Sequence, residues 1–201
     1  WLMNLLAPSL VIAIAIIFQP ELRKIFTRIG QGRLLSFSGS SQSVELESVV
    51  SAAEVLSYRR RGALMVFVRG IGLKNIIETG TKLEAELSSP LLLTIFAHDT
   101  ALHDGAIVID DGKIVAAGCF LPLSEQLDVR RSFGTRHRAA LGLVEETDAV
   151  VLVVSEETGA LSLAHDANLY YDLGVDEIRY RLMQLLQTRQ TAELEEEVAV
   201  L

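Results

Sequence analysis

The chain has 201 residues, half of them hydrophobic, and a formal net charge of -8 at pH 7. This length suits one sizeable domain with an appendage and is too short for two full domains. The acidic balance argues against a protein that binds nucleic acid without sequence preference, because such proteins need an excess of Lys and Arg. Cys119 is the single cysteine, so no intrachain disulfide can form, and we expect a buried filler residue in a reducing compartment.

The chain opens with an apolar segment. Residues 1–18 are almost all apolar, and this run approaches the length that spans a bilayer. Basic residues follow it directly, as expected on the cytoplasmic side of a membrane. We therefore predict a membrane helix over residues 2–18 that enters the cytosol at Gln19. A buried core helix is the less favoured alternative, because no polar face interrupts the second half of the run.

Shifts in composition divide the rest of the chain. Apolar residues at helical spacing among cations predict an amphipathic juxtamembrane helix that ends the first segment, 1–29. Residues 30–43 are rich in Ser and Gly and predict a flexible linker. A folded domain is expected over 44–190, followed by an acidic tail over 191–201.

The periodicity of apolar residues predicts alternating helices and strands within that domain. Helices are expected over 44–61, 88–96, 135–146 and 176–190, and strands over 63–68, 106–109, 113–120, 149–154 and 160–164. Gly62 is expected to stop the first helix, and Asp110-Asp111-Gly112 predicts a hairpin turn. Hairpins that alternate with single helices indicate an α/β fold with a mixed central sheet flanked by helices.

The first of three polar clusters leads into a buried strand at Asp104-Gly105-Ala106. A carboxylate in this position can accept a proton or bind a divalent metal. Gly105 and Ala106 remove side-chain bulk, so that a ligand can approach the backbone. Taken alone, an Asp-Gly pair before a strand is more often ordinary turn chemistry.

The second cluster, Thr135-Arg136-His137-Arg138, lies at the start of a predicted helix. Thr135 could cap that helix, and free amides with two guanidinium groups would form a strong anion site. Cations fit the positive end of a helix dipole poorly. Because local conflicts of this kind are typical of functional sites, we favour an anion site over a solvated charged face.

The third cluster, Ser155-Glu156-Glu157-Thr158-Gly159, follows the second buried strand. Hydroxyl and carboxylate groups at a strand end suit phosphate and metal contacts. The same residues are an equally good hairpin turn. Together the three clusters supply the groups needed for phosphoryl transfer with a metal-bound nucleotide, and they do not select a substrate.

At these positions the chain closely resembles the diadenylate cyclase family. The family motifs Asp-Gly-Ala and Arg-His-Arg are present as residues 104–106 and 136–138, and the resemblance covers residues 44–186. It implies a mixed sheet surrounded by helices and an enzyme that joins two ATP molecules into cyclic di-AMP with release of two pyrophosphates. It also implies the membrane-bound type, with earlier membrane helices preceding residue 1.

The resemblance further implies residue roles. Asp104 would activate the ribose 3′-hydroxyl, with Gly105 and Ala106 lining the nucleotide. The phosphates would be held by Arg136, His137 and Arg138 with Thr135 and Ser155, and Glu156 would also belong to the substrate-binding site. A Mn2+ or Mg2+ ion would be bound by His103 and Glu157, with Asp104 and Glu156 as substitute ligands. Adenine would lie in an apolar slot near Leu83, Phe120 and Leu121. Many relatives carry Tyr where this chain has Phe120, which keeps stacking and loses a hydroxyl contact.

Because each ATP supplies both a nucleophile and an electrophile, two half-sites must face each other in a homodimer. The resemblance suggests a regulatory membrane protein and a phosphosugar mutase as further partners, and no nucleic acid. The main alternative is a membrane-tethered sensor that binds ATP or cyclic di-AMP without turnover. A weaker one is a scaffold that uses the apolar start and acidic tail for protein contacts.

Overall fold

The computed structural model of the protein describes residues 39–126 and 133–186, with side chains from residue 45 onward. The predicted membrane helix, the juxtamembrane helix and the acidic tail lie outside these residues. Among the helices that are described, none has the length and apolar character needed to cross a bilayer.

Helices and strands alternate along the described chain. They are α1 (Gly39–Tyr58), β1 (Ala63–Phe67), α2 (Lys74–Ile77), β2 (Thr81–Glu86), α3 (Ser89–Ile95), β3 (Ala106–Asp110), β4 (Lys113–Cys119), α4 (Thr135–Glu146), β5 (Val150–Val154), β6 (Leu161–His165), β7 (Asn168–Tyr170) and a final helix α5 over residues 175–186.

The strands form one mixed sheet in the order β2-β4-β3-β1-β5-β6-β7. Only β1 and β3 are parallel, with Met65 opposite Ile107, and the other neighbours are antiparallel. The predicted α/β fold with a mixed sheet is therefore confirmed. The predicted hairpin also forms, and Asp111 and Gly112 both have positive φ angles, as a two-residue type I′ turn requires.

Apolar side chains cover both faces of the sheet. On one face, α1, α3 and α5 pack against alternate residues of the central strands, such as Met65, Ile107 and Leu152. On the other face, α4 packs against Val66, Val108 and their neighbours. The central strands are buried on both faces, which explains their continuous apolar sequences. Burial of this area from water is the main force that holds the sheet and helices together.

Several parts of the fold differ from the sequence predictions, and the four-residue helix α2 is one that was not predicted. Strand β2 was not predicted, because it lies at the rim of the sheet and alternates charged residues with half-buried ones. Strand β7 was also not predicted, because it has only three residues. Helix α1 begins at Gly39, inside the predicted linker, because a helix anchored by packed residues extends into any neighbouring sequence without a strong breaker.

Candidate active site

One end of the sheet gathers all three polar clusters. The starts of β1 and β3 lie at this end because these strands are parallel, and the ends of β4 and β5 lie there because Ala106 pairs with Cys119 and Ala63 with Val154. We call it the Asp104 end. Asp104 precedes β3, residues 155–159 follow β5, and β1 lies between them, so these segments are on the order of 10 Å apart.

Backbone packing fixes the loop that carries Asp104. Gly105 has a φ of 108°, and a Cβ atom placed there would lie 2.8 Å from the carbonyl oxygen of Cys119. No other residue fits this position. Gly105 therefore brings β3 close against β4, and the Asp104 side chain is left exposed at the end of the sheet.

The imidazole of His103 is oriented by the same loop. Its Nδ1 atom donates to the carbonyl oxygen of Thr100 at 2.5 Å. A bond of this kind fixes the tautomer and leaves Nε2 with a lone pair, the usual arrangement of a metal-binding histidine.

Arg136 projects from the first turn of α4 towards the start of β1. Its guanidinium group pairs with Glu156 at 2.5 Å, and its side chain is only 19% exposed. A Cβ atom on Gly62 would lie 2.6 Å from the Cζ atom of Arg136. Gly62 therefore provides the space in which this guanidinium group lies, a role that no pattern in the sequence indicates.

Arg138 holds the loop that follows β4. Its guanidinium group donates to the carbonyl oxygen of Ser124 at 3.2 Å, and the Ser124 amide donates to the Arg138 carbonyl at 3.0 Å. The loop also passes over Gly142, where a Cβ atom would lie 2.7 Å from the Ser124 nitrogen. Arg138 itself remains exposed, so it can still contact a ligand.

The start of α4 lacks the predicted cap. Gly134, not Thr135, occupies the N-cap position, and no side chain bonds to the first turn there. Thr135 is the first helical residue and is exposed. The His137 amide donates to the Gly134 carbonyl. The amides of Thr135 and Arg136 and the Thr135 hydroxyl can therefore face an anion, which supports the predicted anion site.

The structure does not support a phosphate contact for His137. The residue is only 4% exposed, its Nε2 lies 3.3 Å from the hydroxyl oxygen of buried Ser162, and its ring stacks on Phe133. The helical repeat turns position 137 towards the sheet while positions 136 and 138 face outward. Burial lowers the pKa of His137 below its usual 6.5, so the ring is neutral and Arg136 and Arg138 supply the cationic charge.

We predict that this buried ring makes the fold acid-sensitive. Unfolding restores the ordinary pKa, so below about pH 6.5 the unfolded chain takes up a proton that the folded chain does not. The free energy of unfolding should be highest above that pH and should decrease as the pH falls below it towards 5. In His137→Phe, which keeps the ring stacking, the unfolding temperature should be lower at pH 7 and should change less with pH.

Thermal unfolding followed by circular dichroism at several pH values checks this. The control His98→Gln removes an exposed imidazole and should keep the parental pH dependence. An equally steep decline in His137→Phe and in the parent would show that another group is responsible.

The turn that follows β5 connects it to β6 as a hairpin. The third cluster can therefore be a hairpin turn and still offer its side chains to a phosphate or a metal. The Ser155 hydroxyl accepts from the Thr158 amide at 3.2 Å and keeps its own proton for a ligand. Glu157 is exposed, and its Oε1 atom lies 4.0 Å from the Cβ position of Gly134. This turn therefore lies beside the start of α4.

Helix α1 is attached to that turn. The Ser57 hydroxyl donates to the Gly159 carbonyl at 2.6 Å, and Gly159 has a φ of 81°. The helix ends at Tyr58, before the predicted stop at Gly62, and Arg60 in the following turn has a φ of 50°. A left-handed conformation in a residue other than glycine costs roughly 1–2 kcal/mol.

The residues predicted to surround adenine lie on neighbouring strands. Phe120 directly follows β4 and is 67% exposed, and its amide donates to the Thr79 hydroxyl at 3.0 Å. Leu83 lies in β2, which pairs with β4, and packs against the core under α1. Leu121 packs against the core under α4. Leu83 and Leu121 therefore contact opposite faces of the sheet, and the slot stays a prediction.

The candidate metal ligands do not form one cluster within the described residues. No group of three His, Cys, Asp or Glu side chains suitable for a metal occurs among residues 39–126 and 133–186. His103 and Asp104 lie on one side of β1 and Glu157 on the other. Such donors fit an ion of the Mg2+ type, which usually takes one or two protein ligands together with water and substrate phosphates.

A mixed sheet with an exposed carboxylate and a helix start rich in arginine at one end defines a nucleotide-binding α/β domain. The family model of the DAC domain, described as the DisA bacterial checkpoint controller nucleotide-binding domain, matches residues 50–169. The chain belongs to this diadenylate cyclase family.

Individual relatives agree with this assignment. The chain is 42% identical over 186 residues to the cyclic di-AMP synthase CdaA of Bacillus subtilis, covering 90% of this chain and 68% of the relative. It is 42% identical over 181 residues to a diadenylate cyclase of Listeria monocytogenes, covering 88% and 66%. The chain therefore spans about two thirds of the length of these relatives.

Solved structures share the fold. A double mutant of DacA from Staphylococcus aureus superposes with a TM-score of 0.69 at 41% identity, over 70% of this chain and 93% of the other. A protein from Bacillus cereus described as a hypothetical membrane spanning protein gives a TM-score of 0.62 at 36% identity, over 80% of each chain.

Proposed function

We propose that the protein is a diadenylate cyclase that condenses two ATP molecules into cyclic di-AMP. In each half-reaction the ribose 3′-oxygen of one ATP forms a bond to the α-phosphorus of the other. The bond from that phosphorus to the bridging oxygen of the β-phosphate breaks, and pyrophosphate leaves. The observation that carries this proposal is the meeting of Asp104, Arg136 and the 155–159 turn at one end of the sheet.

Asp104 is the group that receives the proton of the 3′-hydroxyl. Its carboxylate is exposed, and the close approach of the Gly105 backbone to β4 fixes the loop that presents it. A carboxylate in hydrogen-bond reach of the hydroxyl increases the nucleophilic character of the oxygen.

Arg136 and Arg138 hold the phosphates from the start of α4. Each guanidinium group is positioned by a protein oxygen, Arg136 by Glu156 and Arg138 by Ser124. Arginines held in this way stabilise the charge of a transferring phosphoryl group without reorganising during the reaction. The hydroxyls of Thr135 and Ser155 donate to the same phosphate oxygens.

Diadenylate cyclases use a divalent metal, and we assign it here to Mn2+ or Mg2+ bound by His103 and Glu157. Asp104 and Glu156 are the substitute ligands, although Glu156 is already paired with Arg136. When bound, the ion neutralises phosphate charge. The Thr100 carbonyl keeps the His103 ring in the tautomer that such binding needs.

Catalysis requires two copies of the chain. One domain presents one set of phosphate-binding groups at the Asp104 end, and the ring of the product contains two phosphodiester bonds. Two domains must therefore face each other through this end, where Phe120 directly follows β4 and is exposed. We place the catalytic domain at the cytoplasmic side of the cell membrane, tethered by residues 2–18.

Purified protein incubated with ATP and Mn2+ should form cyclic di-AMP and pyrophosphate, identified by mass spectrometry. Formation per protein molecule should decrease on dilution, because the facing dimer dissociates. ATP that is bound but not converted, at every protein concentration and with either metal, would instead indicate a nucleotide sensor.

A further inference from the structure

Three consecutive arginines, Arg59, Arg60 and Arg61, connect α1 to β1 at the Asp104 end. They directly precede Gly62, against which the Arg136 guanidinium group packs. Arg59 and Arg60 are exposed, and Arg61 is half-buried. The segment therefore lies beside the site described above.

These arginines differ from the other described arginines in their bonding. Arg136, Arg179 and Arg181 pair with carboxylates, and Arg69 and Arg138 bond to carbonyl oxygens. The side chains of Arg59, Arg60 and Arg61 make no hydrogen bond or ion pair with any described residue. Three adjacent cations without a counter-charge from the described part of the chain repel one another, so an anion bound beside them would be stabilised.

The backbone presents them in a fixed direction. The Arg60 amide donates to the Ser57 carbonyl at 3.0 Å and the Arg61 amide to the Leu56 carbonyl at 2.8 Å, the bonding pattern of a Schellman helix end. Glycine is the usual residue at the left-handed position of this motif, and here it is Arg60. An arginine at a position where glycine would be less strained is a candidate for a functional side chain.

The charges at the Asp104 end leave a need for further cations. The segments at this end carry two arginines, Arg136 and Arg138, and three carboxylates, Asp104, Glu156 and Glu157, and Glu156 is paired with Arg136, so the site itself is not cationic. A triphosphate adds more negative charge than one divalent ion neutralises. The three arginines that directly precede Gly62 are basic groups beside the site that could meet this charge.

We propose that Arg59 and Arg60 form a subsite for the β- and γ-phosphates of ATP, the pair that leaves as pyrophosphate. This inference rests on the proposed function, since it concerns the terminal phosphates of the ATP that the enzyme would convert. The product lacks both phosphates. The subsite therefore favours ATP over cyclic di-AMP. It also neutralises the negative charge of the leaving pyrophosphate while the bond between the α-phosphorus and the bridging oxygen breaks.

Titration calorimetry with ATP, inorganic pyrophosphate and cyclic di-AMP tests the subsite, with the ATP titrations done in an Asp104→Asn background to prevent turnover. The double substitution Arg59→Gln and Arg60→Gln should weaken ATP and pyrophosphate binding about tenfold, the loss expected for charged hydrogen bonds. Binding of cyclic di-AMP should change less than about twofold. Unchanged pyrophosphate binding, or equal weakening of all three ligands, would overturn the proposal.

Two further variants separate this effect from folding and from general charge. Arg60→Gly should unfold at the same or a higher temperature, because glycine adopts the left-handed conformation without strain, and should still bind ATP more weakly. Arg181→Gln removes a distant arginine paired with Glu177 and should bind all ligands like the parent. If pyrophosphate binding depends on the arginines while the parent forms no cyclic di-AMP, the subsite stands and the proposed reaction fails.

Discussion

Asp104→Asn should reduce the formation of cyclic di-AMP by about 100-fold or more, since loss of a general base typically costs two to four powers of ten in rate. Asparagine has nearly the same shape and cannot accept the proton of the 3′-hydroxyl. ATP binding should persist, because Arg136, Arg138 and the start of α4 are unchanged. Product measured by mass spectrometry and ATP affinity measured by calorimetry together check this expectation.

The matched control is Asp166→Asn. Asp166 lies in the turn between β6 and β7 at the opposite end of the sheet, with a φ of 49°, a conformation that asparagine accepts readily. Its contact with His165 is partly exposed, so the substitution should affect stability little. Full cyclase activity in Asp104→Asn would refute the role of Asp104, and equal losses in both variants would point to a non-specific effect of removing a carboxylate.

The fold was predictable where apolar periodicity and turn chemistry agree. Helix α4 has the predicted bounds, and the buried strands β1, β3, β4 and β5 lie within two residues of the predicted ones. These segments form the centre of the sheet, where burial determines the sequence. The rim strand β2 carries charged side chains, which prevent an edge strand from pairing with another chain. Because of these charges its sequence does not show the apolar alternation that predicts a strand.

The candidate site was predictable in its residue types and less so in their roles. Asp104 and Arg136 do lie at one end of the sheet, as their positions beside predicted elements suggested. The burial of His137 could not be inferred from three polar neighbours, because it depends on which side of α4 faces the sheet. The role of Gly62 was also hidden, since the sequence does not show which side chain approaches a glycine across the fold.

Gly62→Val should reduce the catalytic efficiency with ATP by about 100-fold, which is comparable to the loss of one preorganised charged contact to a transition state. The new side chain would occupy the position of the Arg136 guanidinium group, since a Cβ atom alone comes within 3.0 Å of its Nε. Arg136 must then turn away from Glu156 and from the phosphates. Steady-state kinetics with ATP should show the loss, and the thermal unfolding transition should remain cooperative.

Gly72→Val is the matched control, because no heavy atom lies within 4 Å of a Cβ atom at that position. It makes the same change in an exposed loop after β1 and should leave the kinetics unchanged. The second comparison is Arg136→Ala in the Gly62→Val background. If Gly62 acts only by making room for Arg136, this variant should be no less active than Gly62→Val, because interacting residues are not additive. A further large loss from the added substitution would show that Arg136 still reaches the phosphates, and that Gly62 affects the reaction through another part of the fold.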